Sequence, residues 1–146
     1  MRVKNPHKIF EDHLADHAGR YTLQKRAIVD EIFKKHRYFE VEEFIDQLRA
    51  ENNKFSRATV YRTIRQLLDA GLLQKISTRN GKVTYESNIS TKPHDHIICN
   101  QCGKILEIKG EVIEKYLAEY CEKIGFHPEY RSLHIYGTCK SCSKQK

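Results

Sequence analysis

The sequence has no apolar run that approaches the roughly 20 residues needed to cross a bilayer. Its first residues, Met1 to Pro6, also lack the apolar core of a secretory signal. We therefore expect a protein that works in the cytoplasm. Because thiols stay reduced in that compartment, metal binding explains the four paired cysteines better than two structural disulfides do.

Signatures of common enzymes are missing as well. The sequence has no HExxH motif, no phosphate-binding glycine loop and no nucleophile elbow. It also has no internal repeat and no low-complexity tract. These absences weigh against an enzyme, and no catalytic residue is predicted.

Two CxxC pairs are the most specific feature that is present. Cys99 and Cys102 form the first pair, and Cys139 and Cys142 form the second. Two such pairs can complete a closed tetrahedral shell of thiolates, which zinc prefers. A closed shell has no open position for water. The spacing therefore predicts a structural zinc site rather than a catalytic one.

The net charge of +7 is concentrated in one part of the chain. Between Lys54 and Lys82 there are seven basic residues against a single acidic residue, Asp69, whereas the remainder is nearly neutral. A basic stretch of this kind is the electrostatic footprint of a nucleic-acid contact surface.

Apolar residues recur at helical spacing in the first half of the chain and predict four amphipathic helices. Thr22 is the expected N-cap of the second helix, and Ser56 is that of the fourth, which Gly71 ends. Two strand-like runs follow on either side of the turn signal Asn80-Gly81. Helices that end in a hairpin predict a winged-helix domain, whose last helix enters the major groove of DNA.

A polar, turn-rich segment over residues 87–93 is typical of an interdomain hinge. It separates a predicted winged-helix DNA-binding domain, residues 1–89, from a predicted dimerisation and metal-binding domain, residues 90–146. Strand-like runs and one helix in the second part predict a small α+β unit, so the fold class is α+β. A unit of about 55 residues buries too small a hydrophobic core to be stable on its own. We therefore expect both zinc and a dimer interface to stabilise it.

The fourth predicted helix carries polar side chains opposite its apolar stripe. Arginine at such positions can pair with phosphates or guanine, and tyrosine or threonine can contact thymine methyl groups. A solvated basic face is the alternative, but the N-cap and the following hairpin favour DNA. The predicted DNA-contacting residues of this helix are Arg57, Thr59, Tyr61, Arg62 and Arg65.

Several motifs resemble those of the ferric uptake regulator family in order and spacing. They are Gly19-Arg20-Tyr21-Thr22, Arg57-Ala58-Thr59-Val60-Tyr61-Arg62-Thr63-Ile64, the run from His94 to Lys104, and the run from Tyr136 to Cys142. The resemblance implies a metal-responsive repressor of transcription that binds a palindromic, A·T-rich operator as a homodimer. It also implies that Arg20 reaches into a narrow minor groove.

Histidines and carboxylates near the hinge predict a second metal site. In an extended segment His94 and His96 project to the same side. With Glu86 and Glu107 they form a nitrogen and oxygen set suited to iron(II), manganese or zinc. The resemblance implies the same four residues as regulatory ligands, and filling this site would favour one orientation of the DNA-binding domain. Ordinary exposed histidines and glutamates are the plainer alternative.

The chain departs from the family pattern in two places. Tyr38 stands where the resemblance implies a further regulatory histidine, and His36 is the candidate to replace it. A further metal site of the family is eroded, because Pro93 and Arg131 stand where histidines are expected. The remaining candidate ligands of that site are Asp95, Glu114 and His134.

Three functions are to be distinguished. The first is the metal-responsive regulator, with structural Zn²⁺ and with Fe²⁺ at the regulatory site; Mn²⁺ or Zn²⁺ sensing and a peroxide response stay as alternatives. The second is a constitutive DNA-binding factor in which all metal is structural. The third is a zinc hydrolase or nuclease that uses the hinge site. Neither a membrane nor a small-molecule substrate is an expected partner.

Overall fold

The computed structural model describes residues 5–35, 38–51, 54–79, 81–89, 95–108, 110–129 and 131–145. The chain divides into two compact units, Met1–Thr91 and Lys92–Lys146. Each unit combines helices with one three-stranded sheet, which confirms the predicted α+β class. Within these described ranges, no helix is both long and apolar enough to cross a membrane.

The described part of the first unit contains four helices and a sheet of order β1-β3-β2, with both strand pairs antiparallel. Strands β2 and β3 form the predicted hairpin directly after the fourth helix, so this unit is a winged helix. In chain order the elements are α1 (Pro6–Asp16), α2 (Leu23–Lys35), β1 (Tyr38–Glu40), α3 (Val41–Ala50), α4 (Arg57–Asp69), β2 (Leu73–Arg79) and β3 (Lys82–Ser87).

Side-chain caps determine where these helices begin. The hydroxyls of Thr22 and Ser56 accept backbone N–H groups of the following turn at 3.3 and 3.1 Å, as predicted. Asn5 caps α1 and Glu40 caps α3 in the same way. Gly71, at φ +72°, lies in the left-handed region that ends α4.

The core of the first unit forms where the apolar stripes of its helices meet. Phe10 of α1, Phe44 of α3 and Leu67 of α4 are each at most 1% exposed. Phe39 of β1 packs on Phe44 with ring centroids 5.4 Å apart, which ties the sheet to this core. The sequence pattern does not reveal β1, because three residues are too few to show an alternation.

The second unit is a sheet of order β5-β4-β6 with one long helix and one short one in its described part. Strand β4 pairs antiparallel with β5 and parallel with β6. The three strands and the long helix follow the predicted pattern, whereas the last helix is a single turn that periodicity cannot detect. The elements are β4 (Asp95–Cys99), β5 (Ile105–Ile108), α5 (Glu111–Lys123), β6 (Leu133–Gly137) and α6 (Lys140–Ser143).

Much of the apolar surface of the second unit is exposed. Helix α5 buries none of its residues. On the sheet, Ile97 is the register partner of both Leu106 and Ile135, so these exposed side chains form one row. The helix and its C-cap residue, Ile124, contribute four further exposed apolar side chains, from 53 to 82% accessible: Val112, Tyr116, Tyr120 and Ile124.

Candidate metal centre and nucleic-acid interface

Four cysteine sulfurs converge in the second unit. Cys99 ends β4, Cys102 lies in the turn before β5, Cys139 precedes α6 and Cys142 lies within it. Their Sγ atoms all lie within 4.8 Å of one another, and those of Cys102 and Cys139 are 3.8 Å apart. A tetrahedral shell with zinc–sulfur bonds of about 2.3 Å has edges of about 3.8 Å. The four thiols therefore fit one zinc ion in a closed shell.

The parallel pairing of β4 with β6 brings the two CxxC pairs together. Cys99 is the register partner of Gly137, so Cys139 follows at the same end of the sheet. The N–H of Cys139 donates to the Cys99 sulfur at 3.3 Å. Gly103, at φ +73°, allows the tight turn after Cys102, and its N–H donates to the Cys99 carbonyl at 2.9 Å.

Hydrogen bonding within this cluster shifts the thiol pKa values. Backbone N–H groups of Cys102 and Cys139 lower the pKa of Cys99 to about 6. The backbone of Cys142 likewise lowers the pKa of Cys139. The Cys139 side chain raises the pKa of Cys142 to about 12, since the neighbouring sulfur shares the Cys142 proton. A divalent cation favours deprotonation of all four, because thiolate is the ligand form.

Helix α4 presents a basic face to solvent. Its apolar stripe, which includes Val60, Ile64 and Leu67, is buried on the opposite side, as the helical period predicts. Thr59 is half-buried, and its hydroxyl lies 2.8 Å from the hydroxyl of the capping Ser56. The remaining predicted contact residues on this helix are all exposed: Arg57, Tyr61, Arg62 and Arg65.

Lys25 of α2 adds a positive charge near this face that the sequence pattern does not reveal. Its ammonium group donates to the backbone carbonyl of Arg20, whose own side chain is exposed. Partial burial, and secondarily the nearby Arg62, lower the pKa of Lys25. The hydrogen bond to the Arg20 carbonyl places Lys25 close to a predicted DNA-contacting arginine. Its position outside the basic stretch of residues 54–82 concealed it.

Glu42, in the first turn of α3, binds two of the predicted DNA-contacting side chains. Its carboxylate oxygens accept from both terminal nitrogens of Arg57 at 2.6 Å. The Tyr61 hydroxyl donates to the same carboxylate, and these contacts, that of Tyr61 foremost, lower the pKa of Glu42. Sequence patterning could not identify Glu42, because its role depends on the packing of α3 beside α4.

The predicted regulatory ligands are described only in part. His36 and His94 lie outside the described residues. His96 and Glu107 are register partners on β4 and β5, and a ring nitrogen of His96 lies within 4.8 Å of a carboxylate oxygen of Glu107. Glu86 of β3, in the first unit, is buried and accepts a hydrogen bond from Gln74 at 2.7 Å.

The residues predicted for the further metal site are not brought together. Asp95, Glu114 and His134 are all described, but their ligand atoms do not all lie within 4.8 Å of one another, as those of the four cysteines do. The Asp95 carboxylate instead accepts from two nitrogens of Arg131 at 3.3 and 2.7 Å. The ring of His134 lies beside that of His96, with centroids 5.4 Å apart.

A winged helix with an exposed basic helix, in a chain that also holds a four-thiol cluster, defines a metal-binding regulator of transcription. Residues 17–136 match the model of the ferric uptake regulator family. The chain therefore belongs to the ferric uptake regulator family, whose members are metal-responsive transcriptional regulators rather than enzymes.

Individual relatives agree with this assignment. The ferric uptake regulation protein of Bordetella parapertussis is 35% identical, over 84% of this chain and 88% of its own. The zinc uptake regulation protein of Mycobacterium tuberculosis is 30% identical, over 84% of this chain and 94% of its own. The structure of the ferric uptake regulator from Francisella tularensis with iron aligns with a TM-score of 0.68 at 31% identity, covering 86% and 96% of the two chains.

Proposed function

We propose that this protein is an iron(II)-responsive repressor that binds a palindromic, A·T-rich operator as a homodimer in the cytoplasm. The exposed basic face of α4 within a winged helix is the observation that carries the proposal. Arg57, Thr59, Tyr61, Arg62 and Arg65 face the major groove in this proposal, and Arg20 enters the minor groove.

The homodimer is supported by the exposed apolar surface of the second unit. The row formed by Ile97, Leu106 and Ile135 and the uncovered side of α5 expose apolar area that a second copy can remove from water. A two-fold dimer would present two recognition helices to two half-sites, which matches a palindromic operator.

Binding by α4 can be tested with Arg62→Ala. We expect operator affinity to fall about tenfold, because an arginine contact to DNA contributes about 1–3 kcal/mol. The affinity should be measured by fluorescence anisotropy on an A·T-rich duplex that the protein selects from a random-sequence pool. Lys115→Ala, which removes the same charge from α5, is the control, and equal effects of the two changes would contradict a specific contact.

The regulatory metal is proposed to bind Glu86, His94, His96 and Glu107, while the four thiolates hold zinc. The adjacency of His96 and Glu107 on paired strands supports this ligand set, since imidazole and carboxylate together suit iron(II). A bound divalent ion would supply positive charge that offsets the negative charge of the two glutamates. Because the ligands come from both units, metal occupancy would be coupled to DNA binding.

This coupling is testable on the zinc-loaded protein. We expect operator affinity to rise with added iron(II), and DNA to tighten iron binding by the same factor. Parallel titrations with manganese, with zinc and with peroxide after iron loading would separate the alternative sensors. His96→Ala should abolish the response, whereas His127→Ala, at an exposed loop position, should not. Equal operator affinity with every metal and with none would contradict metal sensing.

A constitutive zinc-containing DNA-binding factor is the second candidate. It is favoured by Tyr38, which is the register partner of Glu86 and replaces the histidine that the family resemblance implies. The histidine can be restored by Tyr38→His. If the protein is a sensor, this change should tighten its regulatory metal; if it is constitutive, operator affinity should not depend on that metal. Multiple-turnover cleavage of DNA by the metal-loaded protein would instead support a nuclease.

A further inference from the structure

The basic face of α4 includes an intramolecular acidic partner. Glu42 of α3 binds Arg57 and Tyr61 together, and its side chain is 35% exposed. The Arg57 side chain is 53% exposed, with its guanidinium carbon 5.8 Å from the Tyr61 ring centroid. The three side chains thus form one solvent-facing group, which we call the Glu42 network.

The Glu42 carboxylate engages Arg57 in the way a phosphate would. Two oxygens of one anion accept from the two terminal nitrogens of a guanidinium, which is the bidentate geometry common to carboxylate and phosphate partners. The tyrosine hydroxyl donates to the same anion. A nucleic-acid phosphate that took these donors would have to displace the carboxylate.

Displacement is energetically accessible because the ion pair is exposed. Ion pairs at protein surfaces are weak and are screened by salt. An exposed carboxylate beside the contact surface also repels the phosphate backbone. Operator DNA makes additional contacts with α4 in the proposed function, and their free energy can offset the cost of displacing the carboxylate. DNA that lacks the operator sequence makes fewer contacts and gains too little to do so.

We propose that Glu42 competes with DNA phosphates for Arg57 and Tyr61, and thereby restrains binding to DNA that lacks the operator sequence. This inference rests on the proposed DNA-binding function of α4. It assigns a specificity-determining role to an acidic residue that itself lies outside the recognition helix.

The test uses the full-length, metal-loaded protein and a fluorescent mixed-sequence duplex without an inverted repeat. Glu42→Gln should tighten binding to this duplex by about fivefold, the scale of a released surface ion pair. The logarithmic salt dependence should steepen by about 0.9, because one more phosphate is neutralised. Operator affinity should rise less, so the ratio of operator to mixed-sequence affinity should fall.

Glu43→Gln is the matched control, because it removes the same charge from the next, exposed residue of α3. The gain from Glu42→Gln should exceed the gain from Glu43→Gln. In an Arg57→Gln background, the gain from Glu42→Gln should shrink towards that of the control, since the competed arginine is gone.

Equal effects of Glu42→Gln and Glu43→Gln would overturn the inference, leaving only general repulsion. Weaker binding by Glu42→Gln would also overturn it, because Glu42 would then hold Arg57 in place for DNA. In both cases the wild-type protein still binds DNA and the proposed function survives. Failure of the wild-type protein to bind any duplex would instead overturn the proposed function and this inference together.

Discussion

The first unit buries apolar side chains from α1, α3 and α4, whereas α5, the long helix of the second unit, buries none. In the second unit the buried apolar side chains among the described residues are Ile98 and Cys99. The first unit therefore has a hydrophobic core of its own. The second unit has a sheet, a four-thiol cluster and an uncovered apolar face, so its stability should depend on an ion and on a partner.

The largest difference between the units should appear when the thiol cluster is broken. Cys142→Ser should release zinc and expose the amides of the second unit, because structural zinc contributes roughly 10–16 kcal/mol of apparent binding free energy to folding. Elemental analysis and hydrogen exchange resolved by segment would measure both effects. The first unit should keep its protection.

Cys121→Ser is the control for this experiment, since Cys121 lies on α5 outside the cluster. If Cys142→Ser retained zinc and the second unit stayed protected, the second unit would not depend on the four-thiol cluster for its stability.

The converse change is Phe44→Ala in the core of the first unit. Phe44 is 1% exposed, and truncation of a buried phenylalanine typically costs about 3–5 kcal/mol. Hydrogen exchange should accelerate throughout the first unit, while the zinc content stays unchanged. Leu23→Ala, at a position 85% exposed, should have almost no effect. Zinc loss in Phe44→Ala would show that the two units are not independent in stability.

The apolar face of the second unit can be tested with Tyr116→Ala. If a second copy covers α5, this change should weaken the dimer about thirtyfold, because buried aromatic residues at interfaces contribute about 2 kcal/mol or more. Sedimentation over a range of concentrations would give the dissociation constant. Lys115→Ala, one residue away, should leave association unchanged. An unchanged dissociation constant in Tyr116→Ala would place the interface elsewhere.

The smallest predicted effect concerns the start of α4. Ser56→Ala removes the acceptor of the Thr59 N–H and should destabilise the first unit by about 1 kcal/mol. Chemical denaturation would measure the change in stability, and hydrogen exchange would locate it in α4. Ser132→Ala, in the second unit, should leave this measurement unaltered. Unchanged hydrogen exchange in α4 would mean that the cap contributes little to stability compared with the hydrophobic core.

Local signals account for much of what the sequence could predict. Capping by Thr22 and Ser56, the stop at Gly71 and the apolar stripe of α4 each depend on residues within one element, and the structure contains all of them. The CxxC spacing similarly predicted four thiols that the structure brings together. Short elements such as β1 escaped because they carry too few residues to show a period.

Features that depend on packing between elements could not be predicted. The contact of Glu42 with Arg57 requires α3 and α4 to lie side by side. The pairing of Asp95 with Arg131 requires the start of β4 to meet the segment before β6. The sequence indicated that Arg131 departs from the family pattern, but only the strand register shows where its charge is used.

The bond between the Cys139 N–H and the Cys99 sulfur joins residues 40 positions apart in the chain, at the end of a parallel strand pair. Closing so long a loop before any contact compensates for it slows folding. An ion that binds both CxxC pairs would hold the loop closed while β4 and β6 align. The refolding rate of the second unit should therefore depend on zinc concentration, so that zinc availability would govern how quickly newly made protein becomes functional.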